Sequence, residues 1–148
     1  MVIRRTGGLF EERLTESVIG GFLDVYWEMG CGFVETVYLP ALELELRSRG
    51  HSVVRELAVR VMYKGQEVAW QRLDMVVDEK LVVEVKATEV LPPTAERQLN
   101  NYLRATDLEL GLLLHFGPKP FVKRAYVPNQ GSQFRQFRPS DQSEEPLR

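Results

Sequence analysis

Residues 81–86, Leu-Val-Val-Glu-Val-Lys, constrain this chain most. They read as a strand that is apolar except for Glu84 and Lys86 near its end. Successive side chains in a strand point to opposite faces, so Leu81, Val83 and Val85 share one face and Val82, Glu84 and Lys86 share the other. Burying either charge unpaired costs several kcal/mol, so each needs a partner or a cation. The strand before it supplies Asp74. If Asp78-Glu79-Lys80 forms the hairpin loop and Val77 faces Leu81, then Asp74 falls opposite Glu84 and Arg72 opposite Lys86. Two directly opposed carboxylates repel, and a hard divalent cation between them relieves the repulsion. A register slip of one residue would send Asp74 to the other face. The competing reading is an ordinary solvated face, with Glu84 paired to Lys86 and Asp74 to Arg72.

The rest of the chain supplies a frame for this hairpin. Residues 1–13 read as a short leader. A helix is expected from Leu14 to Met29, with Thr15 as N-cap, an apolar stripe of Val18, Ile19, Phe22, Val25 and Tyr26, and Gly30 as its stop. A second helix runs to about Arg49. Pro40 places its regular start near Thr36 to Leu39, or kinks it there. Strands follow over Val53–Tyr63, Glu67–Val77 and Lys80–Lys86, the first two joined by a Lys64-Gly65-Gln66 turn. Pro92 and Pro93 open a helix to about Thr106, with Ala95, Leu99 and Leu103 in line. Leu110–Phe116 reads as a strand buried on both faces, and Phe121–Val127 as an edge strand. The order predicts an α+β fold, a mixed sheet flanked by helices. Residues 14–128 form the domain, and the polar stretch 129–148 reads as a flexible tail.

Composition removes several function classes. The net charge is −2, which argues against a protein that coats nucleic acid by charge alone and leaves room for a local basic groove. One cysteine, Cys31, and two histidines, His51 and His115, cannot build a four-ligand zinc site, so metal ligands must be oxygens. The N-terminal stretch lacks the apolar core of a signal peptide, and no run of about 18 apolar residues appears. The expectation is a cytoplasmic protein with no membrane partner.

Several short motifs occur in a fixed order. Asp74 precedes Glu84-Val85-Lys86. Gly32, Glu35 and Tyr38 stand in a G-x-x-E-x-x-Y pattern, and Glu96-Arg97-Gln98 is followed by Tyr102. Over roughly residues 14–127 the chain resembles the GxxExxY protein family of the PD-(D/E)xK nuclease-like superfamily. That resemblance implies a restriction-endonuclease-like αβββαβ core and Mg²⁺-dependent hydrolysis of DNA or RNA phosphodiesters, with Mn²⁺ as a substitute. Asp74, Glu84 and the Val85 carbonyl would then hold the metal, with Glu35 as a further carboxylate offered by a helix. Lys86 would orient or activate the attacking water. Gln98, Tyr102, Tyr38 and Arg72 would support the site or touch substrate. A homodimer fits a small nuclease that cuts two strands. The alternative is a nuclease fold kept for binding nucleic acid or a protein partner, with weak or absent catalysis. A glycosidase with paired carboxylates fits less well, because Lys86 has no role there.

Other residues carry blander expectations. His115, in an apolar run, reads as a satisfied core histidine, and His51, after Gly50, as a surface residue. Lys119, Lys123 and Arg124 form a basic cluster that would either contact a phosphate backbone or stay solvated.

Overall fold

Helix α1 (Val2–Met29) carries the expected stripe of Val18, Phe22, Val25 and Tyr26 into a core against one face of a sheet. The structure, a computed structural model, describes residues 2–128, with side chains from Glu11 onward. The expected tail, 129–148, lies outside the described residues. The helix starts well before Leu14 and takes in residues 2–13. Thr15 is therefore no N-cap. It lies buried within the helix, donates to the Glu12 carbonyl at 3.0 Å and accepts from Arg124 Nη1 at 2.7 Å. Gly30 ends the helix as expected, with φ +73° and its N–H on the Tyr26 carbonyl.

Helix α2 (Glu35–Ser48) begins just before the expected window and runs through Pro40. Proline removes the N–H that would bond the Thr36 carbonyl. Thr36 is exposed, so water can take that carbonyl instead. Strands β1 (Val53–Tyr63), β2 (Gln66–Val77) and β3 (Leu81–Lys86) follow, then helix α3 (Ala95–Arg104) and strands β4 (Leu110–Phe116) and β5 (Pro120–Tyr126). The sheet order is β1-β2-β3-β4-β5. Only β3 and β4 pair in parallel, with α3 as their crossover. The molecule is thus the α+β fold with a mixed sheet and a restriction-endonuclease-like αβββαβ core.

Two cores sandwich the sheet. Helices α1 and α2 cover Leu81, Val83, Val85, Leu112 and Leu114, and an aromatic stack of Tyr38 on Phe116 (centroids 4.0 Å apart, planes at 10°) fills the middle. Helix α3 covers Val82 and Leu113 with Ala95, Leu99 and Leu103. Gly111 lets α3 sit close, since a Cβ there would stand 3.0 Å from Leu99 Cδ1. Strand alternation then puts Glu84 and Lys86, which share the parity of Val82, on the α3 side.

The long β1–β2 hairpin does not stay flat. Val53 packs with α1 and α2, yet Leu57 and Val59 pack with α3 although their parity is the same. The switch falls at Glu56, whose φ of +56° bends β1. Across from it, β2 switches between Met75 and Leu73. The distal hairpin therefore leans over α3, and β2–β3 pairing stops at Met75–Val83.

Candidate active site

The hairpin register is the one the catalytic reading demands: Val77 faces Leu81, and Asp78 and Glu79 both take positive φ, as in primed hairpin turns. Asp74 sits where the ladder ends. Its Oδ2 accepts the Val85 N–H at 2.8 Å, and Glu84 Oε2 accepts the Asp74 N–H at 3.3 Å. Each carboxylate thus holds the backbone beside the other. Glu84 is only 4% exposed. Burial pushes its carboxyl well above the usual range, the neighbouring Asp74 charge pushes it further, and Lys86 opposes this only weakly.

Lys86 is tied into a polar chain. Its Nζ donates to Gln98 Oε1 at 3.3 Å, Gln98 Nε2 donates to the Tyr102 hydroxyl at 3.0 Å, and that hydroxyl donates to Gln71 Oε1 at 3.4 Å. Burial, and then the charges of Glu84 and Asp74, push the Tyr102 phenol up to about 12, so it stays a neutral donor. Five of the expected residues thus converge: Asp74, Glu84, Lys86, Gln98 and Tyr102. Gln71, which no motif marked, closes the chain. Its signal was its place on the strand two residues before Leu73, on the α3-facing side of the bent hairpin.

Three expected residues are not brought in. Glu35 heads α2, which packs on the opposite face of the sheet, and among the described residues no three Asp, Glu, His or Cys side chains group to hold a metal. Tyr38 is fully buried in that opposite core. Its hydroxyl donates to the Gly30 carbonyl and accepts the Phe33 N–H, which locks the turn between α1 and α2. Arg72 has no position opposite Lys86, because pairing has already ended. It is exposed and donates to the Glu56 carbonyl at 3.1 Å.

A divalent cation still fits the pair. The two carboxylates are adjacent, and Glu84 is buried beside the charge of Asp74, which a cation between them would offset. Mg²⁺ needs only one or two carboxylates, because it keeps several waters. Asp74, Glu84 and the Val85 carbonyl are the residues that would hold it.

The histidines and the basic cluster resolve differently. His115 is 6% exposed and donates from Nε2 to the Thr88 carbonyl at 2.7 Å, a satisfied core residue. His51 is half-buried and bridges Ser17 and Asp78, both at 2.7 Å. Lys123 and Arg124 alternate across β5, Lys123 towards Glu96 of α3 and Arg124 towards Thr15 of α1, so they form no single patch.

No helix among the described residues is long and apolar enough to cross a membrane. No curated protein and no solved structure matches the chain. A family model does: that of the PD-(D/E)XK nuclease superfamily matches residues 12–125. The match runs from within α1 into β5 and takes in the acidic pair, the lysine and the α3 residues that meet them, and on this ground the chain belongs to the PD-(D/E)XK nuclease superfamily.

Proposed function

We propose that this chain is a metal-dependent nuclease of the GxxExxY kind that hydrolyses nucleic-acid phosphodiester bonds. The observation that carries the reading is the buried Glu84 beside Asp74, with Lys86 on the same face. A bound Mg²⁺ or Mn²⁺ would stabilise charge on the phosphate and lower the pKa of an attacking water. Asp74 and Glu84 would hold that ion. Lys86, steered by Gln98, places a positive charge where the transition state gains negative charge. Tyr102 fixes the Gln98 amide so that its oxygen faces the lysine. The reading is tested by incubating the purified protein with DNA and RNA in Mg²⁺, Mn²⁺ or EDTA. Cleavage should need metal and vanish in Asp74→Ala and Lys86→Ala; cleavage that survives both substitutions rules the reading out.

One observation favours a second reading, a nuclease fold that binds without cutting: the described residues assemble two carboxylates and no third acidic ligand. That reading predicts salt-sensitive nucleic-acid binding with no turnover in any metal.

A further inference from the structure

The bend at Glu56 has a product: a cleft of ≈ 490 Å³ between α3 and the distal β1–β2 hairpin. Val61 and Gln71 form the hairpin wall, and Arg97, Asn101 and Arg104 line the helix wall. Those three recur at i, i+4 and i+7, so they form one stripe along α3. Among the described residues the lining contains two arginines and no acid, in a chain whose net charge is −2. Gln98 and Tyr102 also line the cleft, and Gln98 in turn accepts from Lys86, so the cleft lies one side chain away from the candidate site.

We propose that this cleft binds an unpaired nucleic-acid strand or an extruded nucleotide, with phosphates on Arg97 and Arg104 and base edges against Asn101 and Gln71. The cleft has the volume of a small-molecule site. It lies between a helix and a hairpin, and its volume suits a nucleotide rather than a duplex. Arginine forks match phosphate oxygens. Side-chain amides read base edges, and the Watson–Crick edge is open to them only when the base is unpaired. Val61, Ala105 and the Tyr102 ring supply the apolar surface that a base needs. The inference rests on the nuclease reading for what is cut, and on the cleft alone for what is bound.

The test is fluorescence anisotropy of the full chain with labelled single-stranded DNA, single-stranded RNA and the matching duplex, in EDTA so that nothing is cut. The single strands should bind at least tenfold tighter than the duplex. The double variant Arg97→Ala/Arg104→Ala should lose at least tenfold in affinity. It should also lower the slope of log K against log salt by about 1.4, roughly 0.7 for each phosphate released. Both arginines are exposed, so the variant should keep the wild-type circular dichroism, and Arg97→Lys/Arg104→Lys should restore most of the salt slope. Asn101→Ala and Gln71→Ala should change the ranking of homopolymers. Equal binding of duplex, an unchanged double variant, or equal displacement by poly-glutamate overturns the proposal. Mn²⁺ binding, followed by electron paramagnetic resonance, separates the two ideas. A chain that binds strand through Arg97 and Arg104 but takes no Mn²⁺ keeps the cleft and loses the nuclease reading. A chain that takes Mn²⁺ but binds strand independently of the arginines does the reverse.

Discussion

Asp74 Oδ2 accepts the Val85 N–H at 2.8 Å, so one side chain both finishes the β2–β3 ladder and faces Glu84. The two roles separate by substitution. Asparagine keeps an acceptor oxygen for Val85 and removes the charge a cation needs. Asp74→Asn should stay within about 1 kcal/mol of wild type in urea denaturation, yet lose about 10²-fold or more in cleavage. Asp74→Ala strands the Val85 N–H and should cost about 1–3 kcal/mol as well. Equal stability of the two variants would show that the hydrogen bond contributes nothing.

Glu84 works against the fold that holds it. A carboxylate 4% exposed beside another carboxylate is costly without a cation. Glu84→Gln keeps the shape and an acceptor for the Asp74 N–H. In EDTA it should raise stability by about 1–2 kcal/mol, a rise of a few degrees in Tm for a chain this size. Millimolar Mg²⁺ should raise the wild-type Tm by mass action and leave that of the glutamine variant unchanged. A variant less stable than wild type in EDTA would sink the argument.

Lys86 reaches Tyr102 only through Gln98, at 3.3 and 3.0 Å. Tyr102→Phe removes the hydroxyl that sets the Gln98 amide. Cleavage should fall about tenfold in kcat with KM little changed, because the lysine is mis-aimed rather than lost. Lys86→Ala should fall at least 10²-fold. Single-turnover rates in excess enzyme distinguish the two; a Tyr102→Phe effect confined to KM would assign the hydroxyl to substrate binding.

How much of this was legible in the sequence depends on which interaction set it. Period-2 alternation and a short hairpin fix the Val77–Leu81 register, so Asp74 and Glu84 could be placed from the chain alone. Arg72 could not, because alternation assumes an unbroken ladder, and β2–β3 pairing ends at Met75–Val83. The G-x-x-E-x-x-Y spacing gives Glu35 and Tyr38 their order along the chain and says nothing of which sheet face α2 covers. That choice is made by Leu39, Leu42 and Leu46 packing with Phe22 and Val83. His51 carried no local signal either, since its partners lie on α1 and in the β2–β3 turn.

That histidine gives the last prediction. His51 Nδ1 donates to Asp78 Oδ2 and its Nε2 pairs with Ser17 Oγ, both at 2.7 Å, while Ser52 N–H donates to Asp78 Oδ1 at 2.8 Å. The order Ser, His, Asp is that of a hydrolytic triad. Ser17 lies inside α1, however, where the helix uses the backbone N–H groups that would otherwise receive an oxyanion. The three residues instead pin α1 and the start of β1 to the turn that sets the Asp74–Glu84 register. Burial alone would raise the Asp78 carboxyl, but the hydrogen bonds from His51 and Ser52 outweigh it and hold the carboxyl below its usual range. A carboxyl depressed in the folded state stabilises the fold above its unfolded pKa of about 3.9, and that contribution is lost as pH falls through the folded value. Asp78→Asn tolerates the positive φ. It should cost about 1–2 kcal/mol at neutral pH. The gap from wild type should close below pH of about 4. Ser17→Ala should cost less, about 0.5–1.5 kcal/mol, and leave nuclease cleavage unchanged. Urea titrations across pH measure both, and labelling of Ser17 by a fluorophosphonate probe would show that the relay is a nucleophile after all.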